Sequence, residues 1–116
     1  MPAERRWYKF TRENVEKLPK GKIGVYVLAN ENKKPMRTGS STSENVGIRG
    51  RLISHIIHNT CPEAKYFRFA YANSPQEALN MEANAYNHYI RQNPVEMSKH
   101  TKRIPRKREI DDFWLF

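Results

Sequence analysis

A chain of 116 residues with 21 Lys/Arg against 12 Asp/Glu carries a net charge of +9, and its apolar and aromatic shares are 38% and 11%. That length suits one domain around a single modest core, and that composition suits a folded protein rather than a disordered one. No apolar run approaches the roughly 18 residues of a membrane span, the charged opening MPAERRWYKF argues against a signal peptide, and the lone Cys61 supports neither a disulfide framework nor, by itself, a zinc site.

These exclusions place the protein in the cytoplasm, away from membranes. In chain order, Trp7, Tyr8 and Phe10 are expected to pack the N-terminal segment onto the sheet. TRENVEKL, residues 11–18, reads as a short helix with Thr11 as cap and Val15 and Leu18 facing inward. IGVYVL, residues 23–28, is β-branched and apolar, a strand. After the polar turn ANENKK, residues 35–39 (PMRTG) form the returning strand of a hairpin, in which Pro35 fits only at a start or an edge. This hairpin sets Tyr26 on one strand and the guanidinium of Arg37 at the matching point of the next.

SSTSEN reads as loop, and VGIRGRLISHIIH, residues 46–58, as a helix whose apolar line is Ile48, Leu52 and Ile56. Gly50 inside it costs about 1 kcal/mol against alanine, which suggests a close approach to the backbone. AKYFRFAY, residues 64–71, is the third strand. Ser74, Pro75 and Glu77 then open a helix as N-cap, first helical residue and capping-box acid, and Asn93-Pro94 closes it near Gln92. The expected fold is an α+β (α/β) domain, a small three-stranded antiparallel sheet flanked by helices. Residues 20–93 form its core and 94–116 a basic extension. In that extension KHTKRIPRKR, residues 99–108, holds six Lys/Arg and no acid. The remaining fifteen bases and nine of the acids lie in residues 1–98, so the body is basic too. A polyanionic partner fits, nucleic acid and DNA in the first instance. The aromatic terminus, Phe113, Trp114 and Phe116, is expected to close over the core.

Three sets of residues bear chemistry. On the helix 75–92, Ala78, Leu79, Ala85, Tyr86 and Tyr89 form an apolar stripe with Glu82 in its middle. A carboxylate there costs several kcal/mol unless met by an Arg or Lys, a proton or a divalent cation, for which its oxygens suit Mg²⁺. On the helix 46–58, Arg51, His55 and His58 share a face; arginine can clamp phosphate and histidine can move protons. The histidine spacing is a weak signal for zinc. In the hairpin, a phenol beside cations has its pKa lowered toward service as a base. Tyrosine, arginine, glutamate and a basic surface together are the groups that phosphodiester hydrolysis needs.

Those residues, in that order, resemble the GIY-YIG nuclease superfamily. GVY at 24–26 stands for GIY and RTG at 37–39 for YIG; GRLISHI at 50–56 and SPQEALNMEANAY at 74–86 resemble the two helices that follow. The resemblance spans residues 20–93. It implies a metal-dependent DNA endonuclease in which Glu82 holds Mg²⁺ or Mn²⁺, Tyr26 prepares water, Arg51 stabilises developing charge and His55 orients phosphate or water. Arg37, Ser40, Arg49, Lys102, Arg103 and Arg106 complete the set as phosphate and substrate contacts. The chain departs from the family at three points: Arg37 replaces the tyrosine of YIG, Ser40 a frequent lysine, and Asn93 precedes its proline instead of following it. A silent nucleic-acid-binding module and a domain in which Glu82 merely pairs with Arg51 are the alternative readings. Monomer and homodimer are both compatible with it.

Overall fold

In the computed structural model, which describes residues 6–92 and Pro94, the elements are β1 (Tyr8–Lys9), α1 (Arg12–Glu16), β2 (Gly24–Ala29), β3 (Pro35–Ser41), α2 (Gly47–His58), β4 (Tyr66–Tyr71) and α3 (Pro75–Gln92). They build one antiparallel sheet in the order β1-β4-β2-β3. The class is α+β, as the pattern of elements predicts. The sheet has four strands rather than three, because the N-terminal aromatic segment pairs Tyr8 with Phe67 and Lys9 with Tyr66. Two residues are too few to show an alternating pattern, so β1 is invisible until β4 exists to receive it.

Each of the six residues of β2 is buried, as expected for a central strand covered on both faces. Its side chains alternate between two cores. Val25 and Val27 pack with Ala70, Met81, Ala85, Tyr86 and Tyr89, beneath α3. Tyr26 and Leu28 pack with Val15, Ile48, Leu52 and Phe67, beneath α1 and α2. On the α3 side Trp7 lies over the Arg68 guanidinium, 3.8 Å from ring centre to Cζ, and Arg68 donates to the Tyr89 hydroxyl at 3.2 Å. The N-terminal segment thus packs onto the sheet as expected.

Local rules account for the ends of the elements. Thr11 caps α1 by accepting from the Asn14 amide at 3.2 Å. In the hairpin, Asn30 Oδ1 accepts from the amides of Asn32 and Lys34, and Lys33 takes the left-handed conformation at φ 62. Pro35 is the first residue of an edge strand, where its missing N–H costs nothing. Ser74 caps α3 through the Glu77 amide, but Glu77 reaches back to the amide of Asn73 rather than that of Ser74.

Three expectations need correction. Strand β3 runs on to Ser41, so Ser40 is a strand residue and not part of a loop. The stripe of α3 includes Met81, fully buried, and leaves Leu79 39% exposed; Leu79 follows Ala78 by a single residue, about 100° around the helix, and so points away. Glu82 stays inside the stripe, between Tyr89 and Tyr86 around the helix, and is half-buried. At Gly50 no other element comes close: an added Cβ would meet only the Val46 side chain, at 3.0 Å. Asn93 and the extension bearing Lys102, Arg103, Arg106, Phe113, Trp114 and Phe116 lie outside the described residues.

Candidate phosphodiester site at the edge strand

The register of the hairpin places the site. Tyr26 pairs with Gly39 and Leu28 with Arg37, so Arg37 sits one diagonal away from Tyr26 on the same face, not directly opposite it. Opposite Tyr26 there is no side chain, and the ring takes that space. A Cβ on Gly39 would lie 2.3 Å from the phenolic oxygen and 2.4 Å from Cζ. The glycine therefore lets the ring lie across the edge strand β3 with its hydroxyl over the strand's backbone.

From the α2 side, His55 meets that hydroxyl, with Nε2 2.7 Å from the Tyr26 oxygen. The other ring nitrogen contacts the Thr60 hydroxyl. Thr60 reaches it because α2 ends with Asn59 in the left-handed conformation. The amide of Thr60 then folds back to the His55 carbonyl and that of Asn59 to the Ile56 carbonyl, the Schellman closure. Nothing in the spacing of the sequence marks Thr60; only the αL turn after the helix brings it back.

Arg51, one turn before His55, and Arg37 both act on the phenol electrostatically. These cations favour the phenolate, as the sequence suggests, yet the pKa of Tyr26 is raised, because burial of the ring outweighs them and Glu82 adds to the rise. Tyr26 is a neutral phenol. His55 is held down to about 4 by burial first, then by Arg37 and Arg51. When the neutral phenol donates to Nε2, Nδ1 carries the ring's proton and faces the Thr60 hydroxyl. Both groups between the arginines are uncharged, so the guanidinium charges remain available to an anion.

From the opposite side of the sheet, α3 brings Glu82. Its Oε1 accepts from the Ser40 hydroxyl at 2.7 Å, and its charge is felt at Tyr26. Ser40 and Gly39 are neighbours on β3 whose side-chain directions alternate, so the strand carries the Tyr26 cluster on one face and the carboxylate on the other. The site wraps around an edge strand. Arg49 belongs elsewhere: with Lys20, Glu44 and Gly50 it lines a cleft of about 630 Å³ at the start of α2. His58 is exposed at the end of α2.

Among the described residues no three His, Cys, Asp or Glu gather to hold a metal. A metal enclosed wholly by such ligands is therefore not what these residues build. The half-buried Glu82 carboxylate fits a Mg²⁺- or Mn²⁺-type site, in which one protein carboxylate suffices and water and substrate phosphate supply the rest.

The buried neutral His55 makes stability depend on pH. The unfolded chain protonates this residue near its ordinary value of 6.5 and the folded chain only near 4. The contribution is therefore complete above pH 6.5 and is lost as pH falls toward 4, up to about 3 kcal/mol. Urea unfolding of the His55→Gln variant is expected to show a flatter acid limb than the parent; parallel limbs would place the imidazole in solvent.

No helix among the described residues is long and apolar enough to cross a membrane. Compared with known proteins, the chain matches one family, described as Domain of unknown function (DUF7508), over residues 1–89. No curated protein matches it, and no solved structure does.

Proposed function

The chain belongs to the DUF7508 family, and from the geometry of its site we propose that it is a metal-dependent endonuclease of GIY-YIG type that hydrolyses DNA phosphodiester bonds. One observation carries the reading: the Tyr26–His55 hydrogen bond, flanked by Arg37 and Arg51, lies at the same strand end as Glu82. A structural tyrosine needs no arginine pair, and a packing glutamate needs no neighbouring base. The positive charge of the chain supports a polyanionic substrate.

In this reading Arg37 and Arg51 bind the scissile phosphate and offset charge in the transition state. Water gives a proton to the Tyr26 oxygen as the phenol passes its own to His55 Nε2. Thr60 holds the imidazole for that transfer and stabilises the imidazolium through Nδ1–H. The water oxygen bonds to phosphorus, and the departing oxygen leaves on the far side and takes a proton from solvent. Glu82, oriented by Ser40, would hold Mg²⁺ or Mn²⁺, which supplies charge neutralisation at the phosphate. Arg37 stands where the GIY-YIG pattern has its second tyrosine; its charge makes it a phosphate ligand rather than a second phenol.

The test is cleavage of labelled plasmid, branched and single-stranded DNA in Mg²⁺, in Mn²⁺ and in chelator. The parent is expected to cut only with metal, and Tyr26→Phe, which keeps the ring and loses the proton path, to cut at least about 10²-fold more slowly. Equal rates for parent and Tyr26→Phe would remove the phenol from the mechanism. Binding without cleavage on every substrate would favour the silent nucleic-acid-binding module.

A further inference from the structure

Among the described residues, the face of the sheet that holds Tyr26 is only partly roofed. Helix α2 packs over β2 and β3, and α1 packs on α2. On β4 they cover Phe67, and among the described residues they leave the side chains beside it part-exposed. The β4 and β1 part of the face carries a row of aromatic side chains. Phe69 is the register partner of Tyr26 on β4, Tyr71 lies two residues further, and Tyr8 comes from β1. Their rings follow one another at 5.3 Å from Phe69 to Tyr71 and 6.1 Å from Tyr8 to Phe69, the latter pair stacked. All three are part-exposed. The Tyr71 phenol is pushed up by burial and by the Tyr8 phenol. At the outer end of the row the exposed Arg6 stands 5.9 Å from the Tyr8 ring.

We propose that Tyr8, Phe69 and Tyr71 form a stacking platform for unpaired bases, which hands a single strand to the cluster around Tyr26. The proposal rests on the nucleic-acid reading of that cluster and deepens it, by making the substrate one with unpaired nucleotides beside the cut. Three observations favour such a strand over another apolar partner. The row is aromatic rather than aliphatic, and every base has a face that stacks on a ring. Arg6 beside it and the net charge of +9 suit a strand with a charged backbone. The row also adjoins the candidate site, because Phe69 is the register partner of Tyr26 on the same face of the sheet.

Fluorescence anisotropy of the full chain in chelator measures this apart from cleavage, using a short labelled oligothymidylate, an abasic strand of the same length and a duplex. Oligothymidylate is expected to bind at least about tenfold more tightly than the abasic strand. Tyr71→Leu, which keeps an apolar side chain in the core, should lose that preference, and Tyr71→Phe should retain it. Glu82→Gln should bind like the parent. Equal binding of abasic and base-bearing strands, or a preference untouched in Tyr71→Leu and in Tyr8→Leu, overturns the platform. So does occupation of the row by a second copy of the chain or by its own aromatic terminus, either of which abolishes the dependence on bases. Failure of the parent to cleave any substrate would refute the nuclease reading and leave this binding result intact.

Discussion

Glu82→Gln is expected to lower the cleavage rate by about 10²–10³-fold while DNA binding and the unfolding midpoint stay near those of the parent. The substitution is close to isosteric. Its amide oxygen can still accept from the Ser40 hydroxyl, which holds Oε1 at 2.7 Å. The negative charge is what disappears, and with it the affinity for a hard divalent cation. Cleavage across a Mg²⁺ titration, beside anisotropy in chelator, separates the possible roles. A catalytic carboxylate loses rate and keeps binding. A carboxylate that only packs loses neither, and one that neutralises a buried arginine loses stability by several kcal/mol. Undiminished cleavage by Glu82→Gln would end the metal-site reading.

Gly39→Ala is expected to destabilise the protein by about 2–3 kcal/mol and to stop cleavage, because the new methyl meets the outer edge of the Tyr26 ring. The clash is specific: the nearest atoms are the phenolic oxygen, Cζ and Cε1 of that one side chain, at 2.3, 2.4 and 2.9 Å. The backbone at Gly39 is ordinary strand, so conformational strain is not the cause. A double-mutant cycle isolates the effect. In a Tyr26→Leu background the ring is gone, and Gly39→Ala should cost little. Equal costs in both backgrounds would mean that the ring does not lie over the strand.

Much of the fold is legible in residue order because the signals are local. The apolar run at 23–28, the cap at Thr11 and the serine–proline start of α3 each depend on near neighbours, and each element forms where those neighbours put it. Strand β1 is not legible, since two residues acquire strand character only from their pairing with β4. Leu79 misleads because hydrophobicity alone does not tell which side of a helix meets the sheet; the buried residues Ala78, Met81 and Ala85 do.

The candidate site divides in the same way. Its residue types and order, Tyr26, Arg37, Arg51, His55 and Glu82, are readable in the chain, together with a charge that points to a polyanion. Thr60 is not readable, because its contact with His55 is made by a left-handed turn. Nor is the state of the phenol. Proximity of cations predicts a lowered pKa for Tyr26, and burial reverses the sign, a quantity set by the packing of β2, β3 and α2 together. Which chemical groups are present, and which secondary structures carry them, follow from residue identity and near neighbours. Only the tertiary structure decided that α2 and α3, on opposite faces of the sheet, deliver their groups to one edge strand, because register, side-chain alternation and burial are properties of the assembled sheet.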